Sequence, residues 1–231
     1  MRKFELKNIS LRYQDQNVLE NINMCLERGK VTSLIGISGS GKSTILKILI
    51  KLIEPTEGSC VWNFDEEADI TSTVFQNNTL LPWKTVKENL SIAGDNGCNE
   101  SEIIRISKKV GLFNSLNKYP NELSGGMLQR LELGRVLIRK PHNIFFDEPF
   151  NSLDVQHRKN VHKIIEEIKD LLKPTMLLIT HDIDEAWKLA DNILVLSGNP
   201  TNSVHEFIDV KNNYCEKRCI EMILEKEFNN N

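Results

Sequence analysis

The sequence lacks the features that mark membrane-spanning and secreted chains. No apolar stretch approaches the roughly 18 residues that a helix needs to cross a bilayer. The first ten residues, MRKFELKNIS, contain no apolar core of a secretory signal, so we expect a chain without one. The formal net charge is only −3, which argues against a general nucleic-acid binder and is still compatible with a local basic patch.

Cysteine is also scarce, and its spacing excludes the common cysteine-based sites. The five cysteines are Cys25, Cys60, Cys98, Cys215 and Cys219, an odd number in which no pair has C-x-x-C spacing. Cys215 and Cys219 could share one helix face, but two thiols without further ligands make a poor metal site. We expect reduced cysteines in a cytosolic protein.

The composition is that of a folded domain, with 231 residues, 40% hydrophobic and 26% charged. The chain has no internal repeat and no low-complexity linker. Apolar periodicity predicts strands over 3–13, 18–27, 31–35, 143–146 and 175–180, and helices over 44–53, 84–93, 101–110, 126–139, 156–172 and 214–228. Short apolar strands that alternate with helices predict a parallel sheet covered on both faces, preceded by a small antiparallel region.

A loop rich in glycine and serine lies between the buried run 31–35 and the first predicted helix. It matches G-x-x-x-x-G-K-[ST], and its residues are Gly36, Ile37, Ser38, Gly39, Ser40, Gly41, Lys42, Ser43 and Thr44. Small residues let backbone N–H groups approach phosphate oxygens, and the helix that follows directs unpaired N–H groups at the anion. Lys42 adds a charge for the β- and γ-phosphates, and Ser43 offers a hydroxyl to Mg²⁺. The pattern predicts a nucleotide-phosphate site rather than an ordinary flexible loop.

Two other predicted strands end in residues that suit hydrolysis. Asp147 and Glu148 follow the strand 143–146, and His181 follows the strand 175–180. A parallel sheet presents its carboxyl ends on one edge, where ligands bind. There Asp147 would hold Mg²⁺ through water, Glu148 would activate the attacking water and His181 would bond the γ-phosphate. Taken singly, each is also compatible with a surface turn or a cap.

The stretch LSGGMLQR at 123–130 predicts a second anion-binding feature. Ser124 and the N–H groups near Gly125 and Gly126 would face outward at the start of a helix. Because the chain already has a phosphate loop, a second feature makes sense if it serves a nucleotide held by another copy. A serine cap followed by glycine is also common without any function.

With these motifs the chain resembles the ATP-binding subunit of an ABC transporter over residues 1 to about 210. The motifs stand in the family's order: Tyr13, the loop 36–44, Gln76, the signature 123–127, Asp147-Glu148, Ser152-Leu153-Asp154 and His181. The resemblance implies an α/β P-loop NTPase fold, with a parallel-sheet core, an N-terminal antiparallel β-subdomain and an inserted α-helical subdomain. It implies one ABC domain over 1–231, with the core at 1–85 and 140–210, helices at about 86–139 and a terminal helix at about 214–228.

The resemblance also implies the cofactors ATP and Mg²⁺ and a role for each site residue. Two copies would pack head to tail with two ATP molecules buried between them. The resemblance implies that Tyr13 stacks on adenine and that Gln76 touches Mg²⁺ and the attacking water. Glu148 would be the catalytic carboxylate, and His181 would contact the γ-phosphate. Ser124, Gly125 and Gly126 would contact the γ-phosphate of the opposite subunit, and Asp154 would cross the dimer interface.

Within the family, Leu80-Leu81-Pro82-Trp83 after Gln76 looks like the nitrate, sulfonate and taurine importers, as do Thr85-Val86, Asn89 and Glu148-Pro149-Phe150. Such a subunit would sit peripherally on the cytoplasmic face of the membrane, bound to an integral permease near Gln76 and Trp83. An extracytoplasmic solute-binding protein would complete the system, and no nucleic acid would take part.

The sequence departs from the family pattern in two places. The segment 58–73 is short and acidic where a strand and a glycine turn are usual, and 131–135 reads LELGR where alanines are usual, which we expect to affect packing more than chemistry. A rival hypothesis is a soluble ABC ATPase that acts on nucleic acid or the ribosome, but residues 44–123 hold no long coiled coil and there is one cassette. A P-loop kinase or GTPase would not explain 123–127.

Overall fold

The structure, a computed structural model, describes residues 2–14, 16–63, 69–94, 98–151, 153–210 and 215–229. Its contacts divide the chain into two units, one from Met1–Ala68 with Pro174–Asn231 and one from Asp69–Lys173. Ser152, the acidic residues 65–67 and the side chain of Cys215 lie outside the described residues.

The elements are named here in chain order. They are β1 (Arg2–Tyr13), β2 (Gln16–Glu27), β3 (Val31–Ile35), α1 (Lys42–Leu49), β4 (Glu57–Trp62), β5 (Thr71–Val74), α2 (Val86–Ile92), α3 (Glu100–Lys109), α4 (Gly125–Arg139), β6 (Asn143–Asp147), α5 (Val155–Leu172), β7 (Thr175–Ile179), α6 (Ile183–Leu189), β8 (Asn192–Ser197), β9 (Ser203–Ile208) and α7 (Cys215–Asn229).

The first unit begins with an antiparallel sheet of three strands in the order β2-β1-β4. Alternate residues of β1, among them Phe4 and Leu6, are buried, as the period of two predicts. The strand β4 occupies part of the segment that the sequence left uncertain. Its second residue, Gly58, adopts φ +91°, and a Cβ there would lie 2.3 Å from the carbonyl oxygen of Asn8, so only glycine fits this approach.

The second sheet of this unit has the order β7-β3-β8-β9. The strands β3, β7 and β8 are parallel and fully buried, which explains why each is a continuous apolar run instead of an alternating one. The strand β9 pairs antiparallel with β8, and its residues are mostly exposed. The parallel arrangement places the loops that follow β3 and β7 on the same edge of the sheet.

The helix after the phosphate loop ends earlier than the sequence predicts. We expected it to run to Ile53, but α1 ends at Leu49. Lys51 adopts φ +59°, its N–H donates to the carbonyl of Ile48, and the N–H of Leu52 donates to the carbonyl of Lys47. These two bonds form a Schellman motif, which stops the helix while satisfying its last carbonyls. Because the motif uses lysine and not glycine, the sequence carries no signal for it.

The second unit combines the parallel pair β5 and β6 with the helices α2, α3, α4 and α5. Each helix begins after a residue whose side-chain oxygen accepts a backbone N–H, namely Thr85, Asn99, Ser124 and Asp154. The cap of α3 is Asn99, so the helix begins at Glu100, one residue earlier than predicted. The inward face of α5 carries Val161, Ile164, Ile165 and Ile168, as the sequence predicts.

Within the part of the chain that the structure describes, no helix is both long and apolar enough to cross a bilayer. Cys60, Cys98 and Cys219 are thiols. Burial raises the pKa of the Cys60 thiol, so the thiol stays protonated and weakly reactive.

Candidate active site

The phosphate loop of the first unit connects β3 to α1 and closes around the side chain of Lys42. The Lys42 ammonium donates to the carbonyl oxygens of Gly36, at 2.8 Å, and Ile37, at 2.7 Å. Gly39 and Gly41 adopt φ of +83° and +80°, a region that other residues rarely enter. The loop thus holds a buried positive charge inside a curved backbone, which is the arrangement that cradles phosphate oxygens.

A pocket of about 220 Å³ lies beside this loop, within the first unit. Its walls are Gln16, Asn17 and Val18 at the start of β2, the loop residues 37–40, and the turn after β8 with Gly198, Asn199 and Thr201. The Thr201 hydroxyl donates to the carbonyl of Ser40 at 2.8 Å, and the Thr201 carbonyl accepts from Glu20 at 2.8 Å. Thr201 therefore fixes the loop relative to β2, a role that the sequence did not indicate.

Tyr13, the predicted adenine platform, lies at the end of β1 opposite Gln16. Its side chain is 47% exposed, and it is not among the residues that line the 220 Å³ pocket. Gln16, which pairs with Tyr13 across the two strands, does line that pocket, so Tyr13 lies next to the pocket without forming part of its wall. The structure leaves the ring accessible to a ligand.

His181 lies on the same edge of the first unit as the loop. It lines a second pocket of about 360 Å³ together with Gly36 and Ile37, closed on one side by Leu224 and Phe228 of α7. The flanking residues fix its backbone, because Thr180 donates to the buried Glu185 carboxylate at 2.7 Å and Asp182 caps α6. The exposed imidazole can reach a group bound at the start of the loop.

In the second unit, Asp147 is the last residue of β6 and Glu148 follows it. Asp147 is 6% exposed. Glu148 adopts φ +51°, a strained conformation for a residue with a Cβ that costs roughly 1–3 kcal/mol. Its carbonyl accepts from the N–H of Asn151 in the turn that follows. Such strain is typical of functional sites, and Glu148 is the residue predicted to be the catalytic carboxylate.

Gln76 lies near the same end of the neighbouring strand in this unit. β5 is parallel to β6, with Val74 opposite Phe146, so Gln76 and Asp147 follow strand ends that are side by side. Gln76 is exposed. The structure thus brings Gln76 and the two acidic residues to one edge, as the parallel pairing predicts.

The predicted signature opens α4. The hydroxyl of Ser124 accepts from the N–H of Met127 at 3.4 Å, and Ser124 and Gly125 are exposed. A Cβ built on Gly125 would meet nothing within 4 Å, whereas one on the buried Gly126 would lie 2.4 Å from the ring of His157. Ser124 and Gly125 are therefore accessible to a ligand, and Gly126 packs inward.

Asp154 caps α5 and contacts the same histidine. Its carboxylate accepts from the backbone N–H of His157 at 2.9 Å, and its other oxygen lies 2.7 Å from Nδ1 of the ring. The backbone bond, with the ring as a further cause, holds the pKa of the Asp154 carboxyl below its usual value. His157 thus touches both the signature and Asp154, and no sequence motif singles it out.

The family model described as ABC transporter matches residues 19–151. This chain belongs to the ABC transporter family. The match includes the loop 36–44, the signature 123–127 and the Asp147-Glu148 pair, so the resemblance inferred from motifs is confirmed. The α/β fold with a parallel core, an antiparallel N-terminal sheet and helices is likewise confirmed.

The relatives of this ABC protein are import ATP-binding proteins. It is 37% identical to the aliphatic sulfonates import ATP-binding protein SsuB 2 of Rhizobium johnstonii, over 83% of this chain and 76% of the relative. It is 34% identical to the nitrate transport protein NasD of Klebsiella oxytoca, over 89% and 84%. The predicted sulfonate and nitrate branch of the family is therefore confirmed.

Among solved structures, this ABC protein is similar to the ATP-binding cassette MJ0796, in a dimeric post-hydrolysis state bound to ADP and Pi. The TM-score is 0.75 at 28% identity, and the match covers 89% of this chain and 98% of the other. This ABC protein is an ATP-binding chain of an ATPase family, and that shared fold carries its phosphate loop.

Proposed function

We propose that the chain is the ATP-hydrolysing subunit of a solute importer and acts as a head-to-tail dimer around two ATP molecules. One observation supports the proposal: the two predicted anion-binding features belong to different units of the chain. Lys42 and its loop belong to the first unit, whereas Ser124 opens a helix of the second. A second copy would supply Ser124, Gly125, Gly126 and Asp154 to the nucleotide held at residues 36–44.

In this proposal the residues of each copy divide into binding and hydrolysing groups. Tyr13 stacks on adenine and Lys42 neutralises the phosphates. Glu148 orients and deprotonates the attacking water, Gln76 positions that water, and His181 donates to the γ-phosphate as charge builds up.

Mg²⁺ is the metal that suits the predicted ligands. Ser43 supplies a hydroxyl, Gln76 an amide oxygen and Asp147 a carboxylate, all hard oxygen donors of the kind that magnesium prefers beside substrate phosphates. Asp147 is 6% exposed and ends the buried strand β6, at the edge of the sheet where the predicted ligands meet. The metal would neutralise charge on the phosphates.

A membrane permease would dock on the surface near Gln76 and Trp83, holding the chain peripherally on the cytoplasmic face. The Trp83 side chain is 68% exposed, so the indole is available to a partner. The named relatives act in sulfonate import and nitrate transport, so a small oxyanion, delivered by an extracytoplasmic binding protein, is the proposed cargo. The whole of 1–231 would form one ABC domain, with its helical subdomain at about 86–139.

The test compares the wild-type chain with Glu148→Gln, which keeps the shape and removes the base. We expect hydrolysis to fall by about 10²–10⁴-fold while ATP stays bound, and the molar mass by light scattering to double with ATP. A variant that hydrolyses ATP at the wild-type rate would remove Glu148 from its role.

Membrane coupling needs a second measurement. Trp83→Ser should reduce binding of the chain to membranes that contain its permease, and Leu171→Ser, at another exposed apolar position of the same unit, should not. Stimulation of hydrolysis by DNA, RNA or ribosomes, and not by these membranes, would favour the soluble ABC ATPases.

A further inference from the structure

The loop that carries Trp83 is held in place by a buried asparagine. Asn89 of α2 is 1% exposed, and its side-chain oxygen accepts from the N–H of Leu81 at 2.9 Å. Its amide group donates to the carbonyls of Leu81, Lys84 and Thr85 at 2.9–3.1 Å. These bonds hold the backbone on both sides of the exposed Trp83 indole.

A second attachment joins this loop to α4, the helix that begins with the signature. The Glu132 carboxylate accepts from the Thr79 N–H at 2.5 Å and from the Thr79 hydroxyl at 3.1 Å. Arg135, one turn further along α4, donates to the Thr79 carbonyl at 3.1 Å and to Glu132 at 3.3 Å. We call Glu132 and Arg135 the Thr79 clamp.

The Thr79 clamp is a set of polar contacts at 131–135, where we expected the departure from the family pattern to affect packing more than chemistry. Glu132 is 4% exposed, and a carboxylate so deeply buried is costly unless its oxygens are bonded. Thr79 and Arg135 supply those bonds, so removing the Thr79 contacts would leave a buried charge with fewer partners. The clamp thus favours one position of the loop relative to α4.

We propose that Glu132 and Arg135 are positioning residues that couple the Trp83 loop to the signature. The inference rests on the proposed function, in which a permease contacts Trp83 and a second copy's ATP contacts Ser124. Because α4 is one continuous helix from Gly125 to Arg139, an event that fixes its start also fixes Glu132. Fixing Glu132 in turn holds Thr79, and the effect runs equally in the reverse direction.

Hydrogen exchange of the full chain tests this without the permease. In Glu148→Gln with ATP and Mg²⁺, we expect dimer formation to slow exchange at the start of α4 and, by about tenfold, over residues 79–84. Adding Glu132→Ala should leave the slowing at the start of α4 and reduce that over 79–84 to less than about twofold. Glu132→Gln keeps an oxygen that accepts from Thr79 and should restore most of the effect.

The control is Glu100→Gln, an exposed acid on α3 paired with Lys87, which should behave like the parent. A purely structural role would change exchange over 79–84 equally with and without ATP, which overturns the proposal. The proposal is also overturned if ATP slows exchange over 79–84 as much in Glu132→Ala as in the parent, or if the parent forms a dimer without any slowing of exchange over 79–84.

If Glu132→Ala does not fold, Arg135→Gln takes its place, with the same expected and contradicting results. Failure to form any dimer with ATP overturns the proposed function itself, and is recognised by light scattering.

Discussion

The imidazole ring of His157 lies against Gly126, with Nδ1 2.7 Å from the carboxylate of Asp154. The first turn of α5 therefore supports the first turn of α4. Through this one side chain, the residue predicted to cross the dimer interface and the signature predicted to bind the γ-phosphate share a support. We therefore expect a displacement of Asp154 to move the His157 ring and, with it, the start of α4 at Gly126.

The first prediction concerns the two signature glycines. Gly126→Ala would place a Cβ 2.4 Å from the His157 ring, which Asp154 holds in position, so we expect a loss of about 1–3 kcal/mol in the free energy of unfolding. Gly125→Ala meets open space and should change that free energy by less than about 0.5 kcal/mol or stabilise the chain. Urea unfolding of both variants measures the difference. Equal values would contradict the packing described here.

The second prediction is a pH dependence at Asp154. Because the His157 N–H lowers the pKa of this carboxyl in the folded chain, its stabilising effect is present above the unfolded pKa and is lost as the pH falls through the lowered value. Asp154→Ala should therefore lower the thermal midpoint at neutral pH, and the deficit should shrink below about pH 4, near the ordinary aspartate pKa.

Asp154→Asn provides the control, since asparagine caps a helix as well as aspartate does. It should retain most of the midpoint at neutral pH and show a flatter pH dependence. A deficit for Asp154→Ala that persists undiminished well below about pH 4 would show that the charged form is not the stabilising one.

The third prediction concerns the phosphate loop. Lys42→Ala removes the ammonium that the carbonyls of Gly36 and Ile37 now hold. A charge-assisted contact to phosphate contributes about 1.5–3 kcal/mol, so we expect ATP to bind about 10–150-fold more weakly. Calorimetric titration with ATP measures this. Unchanged affinity would remove Lys42 from the site.

The fourth prediction tests the base of the Trp83 loop. Asn89→Ala breaks four buried bonds to the backbone of residues 81–85, and we expect a loss of about 2–4 kcal/mol in unfolding free energy. Asn99→Ala removes a single exposed cap bond and should cost about 0.5–2 kcal/mol. If Asn89→Ala proved no more costly than Asn99→Ala, the loop would not depend on that side chain.

Local patterns were enough to predict the parts of the fold that position the phosphates. The run 31–35, the glycine loop and the strands ending at Asp147 and before His181 could be read directly, because each combines an apolar stretch with a turn signal. The start of α4 at Ser124 was equally visible, since capping depends on one side chain and its near neighbours.

Features that depend on tertiary contact could not be predicted. The helix stop at Leu49 uses Lys51 in a left-handed conformation, and β4, β5, β8, β9 and α6 were not predicted at all. Val31–Ile35 and Asn192–Ser197 become neighbours only through the sheet. His157 and Glu132 are ordinary surface residue types, and only their partners, Gly126 and Thr79, give them a role.

The most direct test of the account is complementation between two inactive chains. Lys42→Ala keeps an intact signature, and Ser124→Asp keeps the helix cap but sets a negative charge against the γ-phosphate. Each should be inactive alone. Mixed in equal amounts, they should recover about a quarter of the wild-type ATPase rate, because half of the dimers are mixed and each of those has one complete site of two. A mixture as inactive as its components would contradict a site that two copies complete.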